Sequence, residues 1–300
     1  MPRLEALRML YAAGKAEKCL QEMQGEKQYN IQKNEWQVLK ARCELKLYLD
    51  AAGSDTQADY ALQLGDTLEY ISNHFRTNEE TLLFYIDTQI FFLKTDIQKA
   101  LAFCNMLTSS DNAQFRLKGL YYRYEIYRDM GDVENMLADL NMLILFTNRL
   151  HPQDDDVLRA EQANNYIRKG DVYRLYKRDA DNALRAYAES YKYNNYDVLV
   201  QCIIANYAID NAHFELAGKA IKNVFCNKEC GKSADALALF QRTWQLIESG
   251  IMTKDMISGM LTACEIKDLS VERSNAKKVL LLLKKNYSGH TAMQTVPHRA

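Results

Sequence analysis

Across 300 residues there are only three prolines, Pro2, Pro152 and Pro297, and twelve glycines. Nearly the whole chain is therefore free of the two residues that interrupt helices. A β-sandwich or barrel needs turn signals every ~8–12 residues, and this sequence does not supply them. With 48% hydrophobic and 26% charged residues, there is enough apolar material for a sizeable core, and the composition is not that of a disordered chain. The expectation is an all-α fold.

A long helical sequence is tested first for internal repetition. The clearest unit begins at Gln162, in QANNYIRKGDVYRLYKRDADNALRAYAESYKYNN. Gly170 and Tyr173 are three apart on one predicted helix, Ala183 and Tyr187 four apart on a second, and a polar turn at 177–181 separates them. The next segment has Ala205 and Ala208, then Ala217, Ile221 and Val224; an earlier one has Tyr124, Tyr127, Gly131, Met136, Leu140 and Leu143, with DMGD at 129–132 as its turn. Thr88, Phe91, Ala100, Cys104 and Leu107 repeat the pattern again. Weaker copies start at Leu7, continue through Trp36 and Leu39, and end with Thr243, Leu246, Met256, Met260 and Ala263. Taking the small residue of each second helix as a ruler gives positions 19, 61, 100, 136, 183, 217 and 256, with gaps of 42, 39, 36, 47, 34 and 39.

The arrangement resembles the tetratricopeptide repeat, whose period is ~34 residues. Gly170 and Ala183 stand where that family brings two helices close together, and Tyr166, Tyr173 and Tyr187 where large residues fill the gap. The resemblance runs over about residues 4–265 and is clearest at 113–226. The family's terminal proline is missing, with Asn195 in its place in the clearest repeat. It implies a right-handed α-solenoid of about seven hairpins over residues 1–287, with a capping helix at about 270–287 and a flexible tail at 288–300. Independently of the family, each hairpin has apolar residues on more faces than one partner helix covers, so it has to stack on its neighbours.

The resemblance also implies a function: binding a partner peptide or helix in a groove lined by the first helices, as an adaptor or scaffold without enzymatic activity. Carried over position by position, the lining is Tyr85 and Gln89, Tyr121 and Glu125, Ile167 and Asp171, and Cys202 and Asn206, with Arg128, Arg168, Arg174 and Asp210 at the margins. Tyrosine and arginine suit protein recognition. Some family members hold a terminal carboxylate with lysines and asparagines; here only Asn206 suits that task, and Glu125 and Asp171 would repel the ligand. The alternatives are a peptide-gated regulator, in which the ligand shifts the population of closed superhelix, and binding of RNA or an acidic partner through the basic carboxy-terminal helix.

That helix stands out in the charge distribution. The net charge is −1, which argues against a general nucleic-acid role. From Arg273 onward, however, six basic residues occur with no Asp or Glu, leaving −7 before them. Lys277, Lys278, Lys284 and Lys285 form the basic patch, and the simpler reading is the polar side of a cap. The longest aliphatic run, Val279–Leu283, falls far short of the ~18 residues of a membrane span. No signal peptide is expected, since Arg3, Glu5, Arg8 and Lys15 punctuate the amino terminus. Seven scattered cysteines suit a reducing compartment, so a cytoplasmic location is expected, with the nucleus as alternative.

Catalytic and metal motifs are not expected. Gly231, Lys232 and Ser233 match the end of a phosphate-binding loop, but Cys226 stands at its first glycine and no strand is predicted before it. Cys226 and Cys230, with His213 nearby, lack the second ligand pair of a structural zinc site. His74, His151, His213, His290 and His298 are isolated, and neither HExxH nor G-x-S-x-G occurs. Asp154, Asp155 and Asp156 precede a predicted helix, where carboxylates cap. No cofactor or metal is expected.

Overall fold

The computed structural model describes residues 2–24, 33–193, 197–226 and 233–251. They contain thirteen α-helices and no strand. In chain order these are α1 (Pro2–Ala12), α2 (Ala16–Gln24), α3 (Asn34–Asp50), α4 (Gln57–His74), α5 (Glu79–Thr88), α6 (Ile97–Thr108), α7 (Ala113–Met130), α8 (Val133–Arg149), α9 (Asp156–Val172), α10 (Ala180–Ser190), α11 (Val198–Asp210), α12 (Phe214–Cys226) and α13 (Ala234–Glu248). The chain divides into two compact units, Met1–Phe146 and Thr147–Ala300. The predicted capping helix at 270–287 and the tail lie outside the described residues, as do Met256, Met260, Ala263 and the Gly231–Lys232 pair.

Local chemistry marks where the helices begin. Asn78, Asp96, Asn112, Asp155, Asp179 and Asp197 each accept a backbone N–H of the first turn, of Thr81, Lys99, Gln114, Val157, Asn182 and Val200 respectively. Each such cap stabilises its helix by about 1 kcal/mol. Asp155 of the acidic triplet is thus the cap of α9, at 2.7 Å from Val157 N. At the other end of α7, Gly131 turns the chain with φ 72°, a left-handed conformation open to glycine at little cost.

Two helices end in a way the repeat pattern does not anticipate. α5 and α9 each run on into one π-helical turn, at Gln89–Leu93 and Tyr173–Lys177. Each turn is closed by a basic residue in the left-handed region, Lys94 at φ 55° and Arg178 at φ 52°. An aspartate cap of the next helix comes shortly after in both cases, Asp96 and Asp179. The same device therefore ends the first helix of two hairpins. In the first of these turns Gln89 is buried and Phe91 is exposed.

In the first unit, α1–α3 share a core of Leu7, Cys19, Trp36, Leu39 and Cys43. A second core runs over α3–α7, with Leu64, Leu68, Ile71, Tyr85, Ile86, Ala100, Cys104 and Leu107. In the second unit, α9–α13 bury Ala183, Tyr187, Ala205, Ala208, Ala217, Ile221 and Val224. Neighbouring helices pack in pairs, notably α3 on α4, α6 on α7, α9 on α10 and α11 on α12. Next-but-one contacts join α1 to α3, α3 to α5, α5 to α7 and α11 to α13. Small residues permit the closest approaches: a Cβ on Gly119 would lie 2.8 Å from Leu107 Cβ. No helix among the described residues is long and apolar enough to cross a membrane.

Candidate functional site

In the second unit, several groove candidates meet in one polar ladder. Asp171, near the end of α9, accepts from Tyr187 Oη at 2.7 Å and from Arg174 Nη2 at 2.9 Å. Arg174 Nε donates to Tyr187 Oη at 3.0 Å, and its guanidinium stands 5.9 Å from the centre of the Tyr207 ring. Tyr187 and Tyr207 meet edge to face at 6.3 Å. Burial, and then the Asp171 carboxylate, push the Tyr187 phenol well above its usual pKa, so it remains a neutral donor.

One helix further on, Asn206 and Asp210 lie a turn apart on α11 and both receive Arg242 of α13. Arg242 Nη1 donates to Asn206 Oδ1 at 2.8 Å, and Nη2 to Asp210 Oδ1. Asn206 Nδ2 is held by the Cys202 carbonyl at 3.0 Å, which fixes the amide so that its oxygen faces Arg242. The ladder thus involves α9 and its π-turn, α11 and α13, with Tyr187 of α10 behind it. The charges stay partly in water: side-chain exposure is 25% at Arg174, 35% at Asp171, 36% at Arg242 and 57% at Asp210. Pairs of this kind add little stability, about 0–1 kcal/mol, but present both charge signs beside an aromatic ring.

The remaining candidates are placed differently. Arg168 is half-buried and donates to Asn165 Oδ1 at 3.1 Å, with Glu161 at 3.9 Å. Ile167 and Cys202 are core residues. In the first unit Tyr85 is buried, its hydroxyl donating to Asp96 Oδ2 at 3.1 Å and its ring packed against Phe103. Gln89 is buried too, and its Oε1 accepts from Thr95 N and Asp96 N at 3.1 and 3.0 Å, pinning the loop after the π-turn. Glu125 is buried and pairs with Arg128 at 2.6 Å. Arg128 is exposed, and also faces Asp129. Tyr121 is half-buried beside Tyr122, whose hydroxyl donates to Asp87 at 3.0 Å. Lys277, Lys278, Lys284 and Lys285 lie outside the described residues.

Sequence reasoning missed Arg242 and Tyr207. A usable signal existed for Arg242: it lies 32 residues after Asp210 and 36 after Asn206, close to one repeat of ~34. Also missed was the fork of Arg123 on Asp139 between α7 and α8, with Arg123 Nε 2.8 Å from Asp139 Oδ2. Among the described residues no group of three or more His, Cys, Asp or Glu side chains could hold a metal ion.

No family model, curated protein or solved structure matches the chain. Its class therefore rests on its own fold: an all-α protein of packed helical hairpins, two of which end their first helix in the same π-turn.

Proposed function

We propose that the chain is a right-handed, tetratricopeptide-like α-solenoid that acts as a non-enzymatic adaptor or scaffold subunit. It holds a partner peptide or helix against the first helices of its second unit. The observation that carries this reading is the ladder of Asp171, Arg174, Tyr207, Asn206, Asp210 and Arg242, whose half-exposed polar groups lie on α9, α11 and α13 and in the turn after α9. Packing of helices on their neighbours and next-but-one neighbours supports the solenoid, because repeat arrays build stability between adjacent units. The arginines are already paired with carboxylates, so the surface favours a peptide carrying both charges and an apolar anchor over a polyanion. The cytoplasm suits four buried free thiols, Cys19, Cys43, Cys104 and Cys202.

Selection from a displayed random-peptide library on the purified chain tests this. An enriched peptide should lose about tenfold or more in affinity, about 1.4 kcal/mol, in the double variant Asn206→Ala, Arg242→Ala. It should bind unchanged to Lys219→Ala, an exposed position on the second helix α12. Failure to enrich any peptide, or equal binding by the double variant, contradicts the proposal.

A further inference from the structure

The packing of α2 on α3 brings two sulfurs together. Cys19 on α2 and Cys43 on α3 are both fully buried in the core that α1–α3 share with Leu7, Trp36 and Leu39. Their thiols share a hydrogen bond, and Cys19 Sγ also donates to the Leu7 carbonyl of α1 at 3.4 Å. Both sulfurs are free. A buried cysteine by itself is a small hydrophobe, and Cys104 is that ordinary case: its charged neighbours are Arg123 and Asp139, with no second thiol acting on it. Two thiols that already meet across a helix pair need only a small further approach to reach the ~2 Å of a disulfide.

The two thiols are not equivalent. Burial raises both above the ordinary cysteine value, and the shared hydrogen bond then favours the thiolate at Cys19. At Cys43 the charge of Cys19, that hydrogen bond and Glu44 all favour the thiol. Cys43 is therefore the donor of the pair, and Cys19 is the sulfur that ionises first.

We propose that Cys19 and Cys43 are a redox-sensitive pair, forming a reversible disulfide that clamps α2 to α3 when the chain meets a hydroperoxide. The Cys19 thiolate attacks the terminal peroxide oxygen. An S–O bond forms, the O–O bond breaks, and the leaving alkoxide takes up the proton that Cys19 released, which leaves a sulfenic acid. The Cys43 sulfur then attacks Cys19 Sγ: the S–S bond forms, the S–O bond breaks, and the departing hydroxide takes up the Cys43 proton as water. Two thiols and one hydroperoxide thus give one disulfide, one alcohol and one water, and a reducing dithiol reverses the change. Thiols held this far toward the neutral form react slowly, and access to them comes through local opening of α1 and α2. The pair therefore stays reduced in a reducing compartment and closes under sustained oxidation. The crosslink restricts the opened hairpin more than the closed one, so that opening of α2 becomes rarer. Both cysteines lie in the first unit, and the pair does not depend on what the ladder of the second unit binds.

The test exposes the natively folded full chain to hydrogen peroxide for several hours, blocks the remaining thiols in denaturant, and maps crosslinked peptides by mass spectrometry without reduction. The expected product is a Cys19–Cys43 disulfide that a reducing agent removes, with Cys104 recovered as a thiol. Hydrogen exchange of the same samples should show the α2 amides slowed about a hundredfold in the oxidised chain. In Cys43→Ala the sulfenic acid at Cys19 has no resolving thiol and should be trapped by dimedone, whereas Cys19→Ala should give about tenfold less adduct at Cys43. Recovery of Cys19 and Cys43 as thiols, Cys19 joined to a different cysteine, a disulfide that appears only in denaturant, or unchanged α2 exchange in the oxidised chain would overturn the proposal. Equal dimedone adducts in the two variants would overturn the order of attack. The unsubstituted chain decides the main question, so a variant that fails to fold leaves that result standing.

Discussion

The ring of Tyr187 lies directly against the backbone of α9 at Gly170, so that a Cβ there would come within 2.4 Å of Tyr187 Cε1. The ring is fully buried, and its hydroxyl is tied to Asp171 and Arg174, so it cannot swing away as a flexible surface side chain would. Gly170→Ala should therefore destabilise the second unit by about 1–2 kcal/mol, the overpacking penalty outweighing alanine's helix preference of ~1 kcal/mol. Gly65 in α4 supplies the control, since nothing lies within 4 Å of its added Cβ. Gly65→Ala should stabilise by about 1 kcal/mol. Urea unfolding of both variants checks the pair, and shifts of the same sign would count against the packing described.

The Arg123 fork on Asp139 makes a second prediction. Asp139 is 2% exposed; burial raises its pKa while Arg123 pulls it down, and Arg123 also reaches Asn105 Oδ1 on α6 at 2.7 Å. Arg123→Ala leaves a buried carboxylate without its counter-ion and should cost about 3–5 kcal/mol. The double variant Arg123→Leu, Asp139→Leu should cost less than the single one, because it removes the buried charge as well. Equilibrium unfolding of the two variants is the measurement, and a double variant worse than the single would contradict it.

Glu44 gives the pH dependence. Burial is the largest influence and holds its carboxyl above the ordinary value of 4.5, with Lys40 and Thr67 acting against it. A folded pKa above the unfolded one means that the folded state binds the proton more tightly. Stability from this group is fully present below about 4.5 and is lost as pH rises through the folded value. Glu44→Gln removes that loss, so its stability relative to the unsubstituted chain should climb with pH above about 4.5 and then level off. Unfolding midpoints of the two proteins between pH 4 and 7.5 decide it, because every other titrating group is common to both. Parallel curves would be evidence against a perturbed Glu44.

The cysteines make a fourth prediction. Cys19, Cys43, Cys104 and Cys202 are buried and free, and burial pushes Cys104 up to about 12. Its thiolate population is then about a thousandfold lower than that of an ordinary cysteine. Under native conditions iodoacetamide should leave all four unmodified, and full labelling should appear only in denaturant. Peptide-resolved mass spectrometry shows which sites react; rapid native labelling of Cys104 would contradict its burial.

The core was the part of this fold most open to reading in the sequence. Five of the ruler positions, Cys19, Ala100, Met136, Ala183 and Ala217, are fully buried, because helical periodicity is written by the side chains that pack between helices. Ala61 is only half-buried, and Leu64, Leu68 and Ile71 carry the core of α4 instead. The π-turns were not readable, since nothing in QIFFL or YRLYK distinguishes the wider turn from the usual spacing. Gln89, which the repeat pattern assigned to a groove, opens the first of these turns one helical turn after Tyr85 and is buried with it. Arg242 escaped for another reason: its contacts are to Asn206 and Asp210 on another helix, which apolar spacing does not encode.

Site-specific photocrosslinking in living cells tests the central claim most directly. A benzophenone side chain is placed at Asp210 on the first helix α11 and, separately, at Lys219 on the second helix α12; both side chains are exposed, at 57% and 59%. The expected result is a discrete protein adduct from position 210 that disappears with Arg242→Ala, and none from position 219. Equal adducts from both positions, or no adduct from position 210, would contradict a partner held on the first helices.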